Sequence, residues 1–378
     1  MIILNGKYNS ANVFIDTIDD ATKTQIIDFL NCPTFAKGYI AIMPDCHAGK
    51  GSVIGFTMPL NNYIIPNIVG VDIGCGMLSV CLGKIDINLE KLDNFIKNEI
   101  PYGSGINKKI LDENNFSIDI SKLKKYADKI GADFEKCLLS IGSLGGGNHF
   151  IELGKDSKDM VWLTIHSGSR NFGLKIATYY QNKAKENLKK YFIEDKFKDL
   201  EFLLAESDDG KEYLEMQNYA IEYALCNRFT MFQKIYKFLD CPNTYYDSIN
   251  TIHNYIGKDN IIRKGAVSAL EGEKLVIPFN MKDGIAFCIG KSCKKFNYSA
   301  PHGAGRILTR TKAMKTLSEE AFEEEMKEAN IFTTIANKNT LDEAPEAYKS
   351  KDVIIDNIKE TVDIIDFIKP IYNFKAGN

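Results

Sequence analysis

The run N-I-V-G-V-D-I-G-C-G-M at residues 67–77 constrains this chain more than any other stretch, because it sets a carboxylate and a thiol three residues apart inside an apolar segment. Ile68, Val69, Val71 and Ile73 read as a buried strand, and Gly70, Gly74 and Gly76 permit tight turns or close backbone approach. Burying Asp72 is costly unless something positive neutralises it, and a metal ion is the plainest neutraliser. Taken alone, the stretch reads equally well as an aspartate capping a turn beside an inert core cysteine, Cys75.

The rest of the sequence narrows the class of protein. Nine cysteines, an odd number with no C-x-x-C pair, argue against a disulfide framework. No apolar run approaches a membrane span, and the opening M-I-I-L-N-G-K-Y lacks the flanks of a signal peptide, so a cytoplasmic protein is expected. The net charge of −3 supplies no global basic field, so any polyanion must be held by a local patch.

Periodicity predicts strands at 12–16 and 38–43, and helices at 20–30 (capped by Asp19 or Asp20), 87–100 and 120–130. The strand at 38–43 delivers P-D-C-H-A-G-K-G, residues 44–51, read as a polar loop. A strand at 161–165 runs into H-S-G-S-R-N-F-G, and residues 174–238 read as a charged helical excursion on one side of a sheet. Two strand-like runs within 275–289 flank F-N-M-K-D-G. A helix is expected at 318–329 and a further helix-like run at 353–367. Without repeats or linkers, residues 1–378 are expected to form a single catalytic domain of α+β class, mixed sheets flanked by helices.

Five histidines occur in the whole chain: His47, His149, His166, His253 and His302. None lies in a plain amphipathic helix, and with Asp72 and Cys75 they supply enough donors for two divalent ions, a thiolate being able to bridge a pair. A lone histidine is more often structural, and no two have zinc-finger or H-E-x-x-H spacing. Arg170 in H-S-G-S-R and Arg306 in H-G-A-G-R each follow a histidine by four residues, in glycine loops that read as too flexible to serve packing. Guanidinium groups beside open backbone N–H groups suit a phosphate; the bland alternative is two surface arginines in turns.

The blocks P-D-C-H-A-G-K-G, V-D-I-G-C-G, G-G-G-N-H-F-I-E, H-S-G-S-R, H-G-A-G-R and Y-N-F-K together resemble the RtcB-type RNA-splicing ligases, in the family's order and over nearly the whole chain. The resemblance implies a GTP- and Mn(II)-dependent ligase that joins an RNA 3′-phosphate or 2′,3′-cyclic phosphate to a 5′-hydroxyl, acting as a monomer. It implies that Asp72, Cys75, His149, His166 and His253 hold two Mn(II) ions, with Cys75 bridging. His302 would take GMP as a phosphoramidate, its ring oriented by Asp45. Guanylate contacts would come from Asn148, His149, Phe150, Ile151, Glu152, His253, Asn254, His302, Gly303, Ala304, Gly305 and Lys375, and from Pro278, Phe279, Asn280 and Met281. Arg170 and Arg306 would hold the RNA phosphate. Lys50 stands where an aromatic is usual, and I-P-F-N-M-K-D-G replaces a commoner glycine-serine loop, which points to a divergent branch in which RNA repair and transfer-RNA splicing both stay open.

Two other classes compete. A dinuclear metal phosphohydrolase acting on RNA ends would use the same metals and arginines, but would need no covalent guanylate on His302. An RNA-end binding protein with a structural metal would need neither the acidic balance nor so large a donor set.

Overall fold

The computed structural model describes residues 1–190, 197–241 and 246–376. Two large sheets carry the fold, which is α+β as expected. The first is six-stranded and mixed, in the spatial order Ile2–Asn5, Ser10–Val13, Ile40–His47, Ile54–Pro59, Ile261–Lys264, Asn254–Ile256; only Ser10–Val13 and Ile40–His47 run parallel. The second is seven-stranded and antiparallel, in the order Asp247–Ile252, Gly76–Gly83, Val161–Ser167, Phe150–Lys155, Val362–Lys375, Ile285–Gly290, Lys274–Pro278. The chain passes from the edge of one sheet to the edge of the other at a single residue, His253, between Asp247–Ile252 and Asn254–Ile256. That residue therefore lies where the sheets meet.

The period-2 geometry of strands assigns opposite jobs to the two faces of the seven-stranded sheet. Leu78, Val80, Ile151, Leu153, Leu163, Ile165, Tyr372 and Phe374 face one way into a core shared with Leu92 and Ile96 of the helix Leu89–Glu99. Register puts Met77, His166, Phe150 and Lys375 side by side on the other face, and Ser79, Thr164, Glu152 and Asn373 in the next row. One face is apolar throughout; the other begins apolar and ends in chemistry.

Helices Asp20–Leu30, Ile120–Ile130 and Phe134–Ser140 start with the aspartates Asp19, Asp119 and Asp133, whose carboxylates accept N–H bonds from the first turn. The predicted excursion at 174–238 contains two long helices, Arg170–Lys190 and Asp208–Phe238, packed on each other, the second also on the strands Gly76–Gly83 and Val161–Ser167 of the seven-stranded sheet; its residues 191–196 lie outside the described residues. No described helix is long and apolar enough to cross a membrane.

Three expectations are corrected. The apolar run at 68–73 is no strand: Pro66–Val69 is a short helix with Pro66 in its first turn, Val71 is exposed, and the strand starts only at Gly76. Proline at a first helical position and the left-handed Gly70 override the apolar pattern. The loop at 44–51 begins later, since Asp45, Cys46 and His47 complete the strand Ile40–His47. The run at 353–367 is split, with helix Lys351–Ile358 followed by the 14-residue strand Val362–Lys375, which pairs with Ile285–Gly290 through its first half and Phe150–Lys155 through its second.

Candidate active site

Between the sheets lies a cavity of about 310 Å³, lined among others by His47, Asp72, Cys75, His166, His253 and His302. Its size suits a small organic ligand. The polar side chains of the site come from the ends of elements: Cys75 precedes the strand Gly76–Gly83, His149 precedes Phe150–Lys155, His166 is the last but one residue of Val161–Ser167, and His302 follows Ser299–Pro301.

The donor atoms converge tightly. The Cys75 Sγ lies 3.4 Å from His149 Nε2 and 3.3 Å from His166 Nε2, and His149 Nε2 lies 3.0 Å from an Asp72 carboxylate oxygen. The ligand atoms of Cys75, His149 and His166 all fall within 4.8 Å of one another. His149 Nδ1 sits 2.8 Å from the Leu144 carbonyl, which can only accept, so Nδ1 carries the proton and the Nε2 lone pair faces the cluster. A lone pair, a carboxylate and a sulfur then point at one another, an arrangement that calls for a cation between them.

Protonation states agree with that arrangement. Burial pushes His166 and His253 well below the usual imidazole range, with neighbouring histidines adding to the effect, so both are neutral and able to ligate. The buried Nδ1 of His253 has no hydrogen-bond partner. Burial and the Asp72 charge drive the Cys75 thiol well up, so without a cation it keeps its proton.

The imidazoles continue as a file. Ring centroids are separated by 5.2 Å for His149 and His166, 5.2 Å for His166 and His253, and 4.8 Å for His253 and His302. At its end, the fully buried Asp45 carboxylate accepts from His302 Nδ1 at 2.6 Å and from the His302 backbone N–H at 3.2 Å. The lone pair of His302 is therefore on Nε2. The approach of the H-G-A-G turn to the Asp45 strand requires glycine: a Cβ on Gly305, whose φ is +73°, would sit 2.0 Å from the Asp45 carbonyl oxygen. Likewise a Cβ on Gly168 would sit 2.0 Å from an Asp72 carboxylate oxygen.

The far end of the cavity is a buried charge network. Glu152 is pushed up to about 8 by burial, against the opposing pull of Asn373, which donates to it at 2.7 Å, and of Lys375. One Glu152 oxygen has no partner. Lys375 donates to Glu343 at 2.8 Å, and although burial resists it, Lys375 and Arg310 hold Glu343 down to about 2. Arg306 and Arg310 both reach Glu343, at 3.2 Å and 3.3 Å, and Arg306 lies over the Tyr348 ring.

Of the residues expected to surround a guanylate, Asn148, Phe150, Glu152, His253, Asn254, Pro278 to Met281, His302 to Gly305 and Lys375 line the cavity. Ile151 and His149 do not: Ile151 lies on the opposite face of its strand, fully buried in the core, and the His149 ring is turned to Cys75 and Asp72. Arg170 is also placed differently from the loose loop expected. Its guanidinium donates to Ser143 Oγ at 3.1 Å and the Gly103 carbonyl at 3.0 Å, so it serves packing and is not among the cavity-lining residues. Arg310, Tyr348 and Asn373 line the cavity without having been assigned a part from sequence, as does His47, counted there only among the possible metal donors, and Glu343 and Arg228 support it. His47 and Asn373 lie within the quoted blocks, which was the available signal.

Comparison with known proteins accords with this geometry. A family model described as tRNA-splicing ligase RtcB matches residues 25–376. The chain belongs to the RtcB family. It is 30% identical to the RNA-splicing ligase RtcB of Escherichia coli (strain K12) over 391 residues, covering 95% of each chain. It is 27% identical to the tRNA-splicing ligase RtcB of Methanococcus maripaludis over 433 residues, covering 91% of this chain and 90% of that one. The RtcB match spans the elements that carry Asp45, Cys75, His149, His166, His253, His302 and Lys375, so the whole cavity lies inside the matched region.

Proposed function

We propose that the chain is an RNA ligase that uses GTP and manganese to join a 3′-phosphate or 2′,3′-cyclic phosphate end to a 5′-hydroxyl end, through a guanylate carried on His302. The observation that carries the reading is the position of His302: its Nδ1 is held by Asp45 while its ring lies tilted against His253, centroid to centroid 4.8 Å, the last imidazole of the Cys75 cluster. A nucleophile oriented by a buried carboxylate and set against a cation-demanding donor set fits attack on a nucleoside triphosphate.

Asp72, Cys75, His149, His166 and His253 would hold two manganese ions, and these would neutralise triphosphate charge and help the pyrophosphate leave. His302 Nε2 attacks the α-phosphorus, its N–P bond forming as the bond to pyrophosphate breaks. Asp45, accepting from Nδ1–H, stabilises the positive charge that the ring acquires. The RNA 3′-phosphate next attacks the same phosphorus and frees His302, giving a guanylated RNA end. The 5′-hydroxyl then attacks the RNA phosphorus and GMP departs. Glu152 and Lys375 face the end of the cavity suited to a base edge, with the free Glu152 oxygen available to accept from it.

A ligation assay tests the reading. Incubation of an RNA 3′-phosphate strand and a 5′-hydroxyl strand with GTP and manganese should yield a joined product. Loss of the terminal phosphate without joining would favour the phosphohydrolase instead.

A further inference from the structure

Arg228 sits in the middle of the long helix Asp208–Phe238 and its side chain is entirely buried. Burying a guanidinium is unfavourable unless its donors are satisfied, and here Nε has no partner while both terminal nitrogens are bonded. One terminal nitrogen donates to the Gly74 carbonyl at 3.1 Å and to the Ser167 carbonyl at 2.8 Å, and the other donates to Asn250 Oδ1 at 3.0 Å. Gly74 precedes Cys75, Ser167 follows His166, and Asn250 stands three residues before His253. These three segments come from parts of the chain that are otherwise far apart in sequence, and each carries one member of the cluster.

The preceding residue extends the pattern. Asn227 Oδ1 accepts the N–H groups of Gly142 and Ser143 at 2.8 Å and 3.1 Å, on the segment leading to His149, and its amide donates to Gly168 beside Asp72. Two adjacent residues of one helix thus bond to the segments that carry or lead to Cys75, His149, His166 and His253.

The geometry points to Arg228 as a positioning residue for the metal site: a buried guanidinium whose three bonds fix the spacing of the segments carrying Cys75, His166 and His253. The inference rests on the proposed reading of that cluster as a manganese site. Two simpler roles give different outcomes. A residue that merely stabilised the fold would alter melting but not the affinity of the folded protein for metal. A positive charge acting only through its field would repel the cations, so its removal would tighten their binding. Fixing ligand geometry predicts the opposite sign.

The test is titration of the full chain with manganese, without GTP or RNA, reading free manganese by electron paramagnetic resonance. Arg228→Met should raise the manganese Kd on the order of 10–100-fold, the range found when the supporting partners of metal ligands are removed. Arg228→Lys, a point donor that cannot reach all three acceptors as a planar fork does, should restore only part of the loss. Asn250→Ala, at an exposed position and removing a single anchor, should weaken binding by a smaller factor. If Arg228→Met does not fold, Asn250→Ala and Arg228→Lys decide the question between them. Wild-type affinity, or tighter binding, in the folded variants would overturn the inference while leaving the manganese site standing. No uptake by the wild-type protein would instead overturn the reading on which the inference rests.

Discussion

Asp45 and His302 are 257 residues apart in sequence and meet across 2.6 Å, with the carboxylate fully buried and the imidazole facing the cavity. The pair fixes which nitrogen of His302 is free to react. Replacing the carboxylate with an amide removes the charge that supports a positively charged ring. Asp45→Asn should therefore slow guanylate transfer to the protein by about 100-fold or more. Single-turnover transfer rates check this, and GTP affinity measured separately should change little.

Gly168 leaves room for the Asp72 carboxylate, since a Cβ there would lie 2.0 Å from one of its oxygens. Gly168→Ala should displace that carboxylate from His149. Manganese affinity is expected to fall by about tenfold or more, as for other disturbed ligand surroundings. A manganese titration beside a thermal melt separates this effect from unfolding.

Glu152 and Ile151 are neighbours on opposite faces of one strand, the first lining the cavity and the second buried in the core. Ile151→Ala opens a cavity in the core and should destabilise the protein by about 2–5 kcal/mol while leaving intact the preference for GTP over ATP that the proposed function expects. Glu152→Gln should do the reverse and erode that preference. Denaturant melts and nucleotide competition on both variants make the comparison.

Glu152 also predicts a pH dependence. Its ordinary value is 4.5, and burial raises it to about 8 in the folded chain. The folded state thus binds the proton more tightly than the unfolded state. The associated stability is complete below about pH 4.5 and is lost as pH rises through about 8. Glu152→Gln cannot ionise, so between about pH 5 and about pH 8 the wild-type melting temperature should fall relative to that of the variant. Paired thermal melts at the two ends of that window provide the check.

Much of the site was legible because its residue types are chemically scarce: five histidines, each in a polar or glycine-rich setting, with Asp72 and Cys75 beside them. The structure brings four of those histidines into one file. Less legible was whatever depends on partners distant in sequence. The 353–367 run alternates apolar and polar residues ambiguously, and its second half becomes a strand because Ile285–Gly290 offers it an edge. The 68–73 run is short and apolar, a pattern shared by buried strands and helices. Arg228 looks like any arginine within an amphipathic helix, and only tertiary packing reveals that it faces inward. Arg170 misled for the converse reason: glycine-rich neighbours suggested a loose loop, whereas its guanidinium ties that loop to the Gly103 carbonyl.

The central claim is that His302 carries the guanylate, and incubation with α-labelled GTP and manganese tests it most directly. Acid-labile, alkali-stable label should stay on the wild-type protein after denaturation and be missing from His302→Ala, while that variant still binds manganese. Label retained by His302→Ala at the wild-type level would contradict the account.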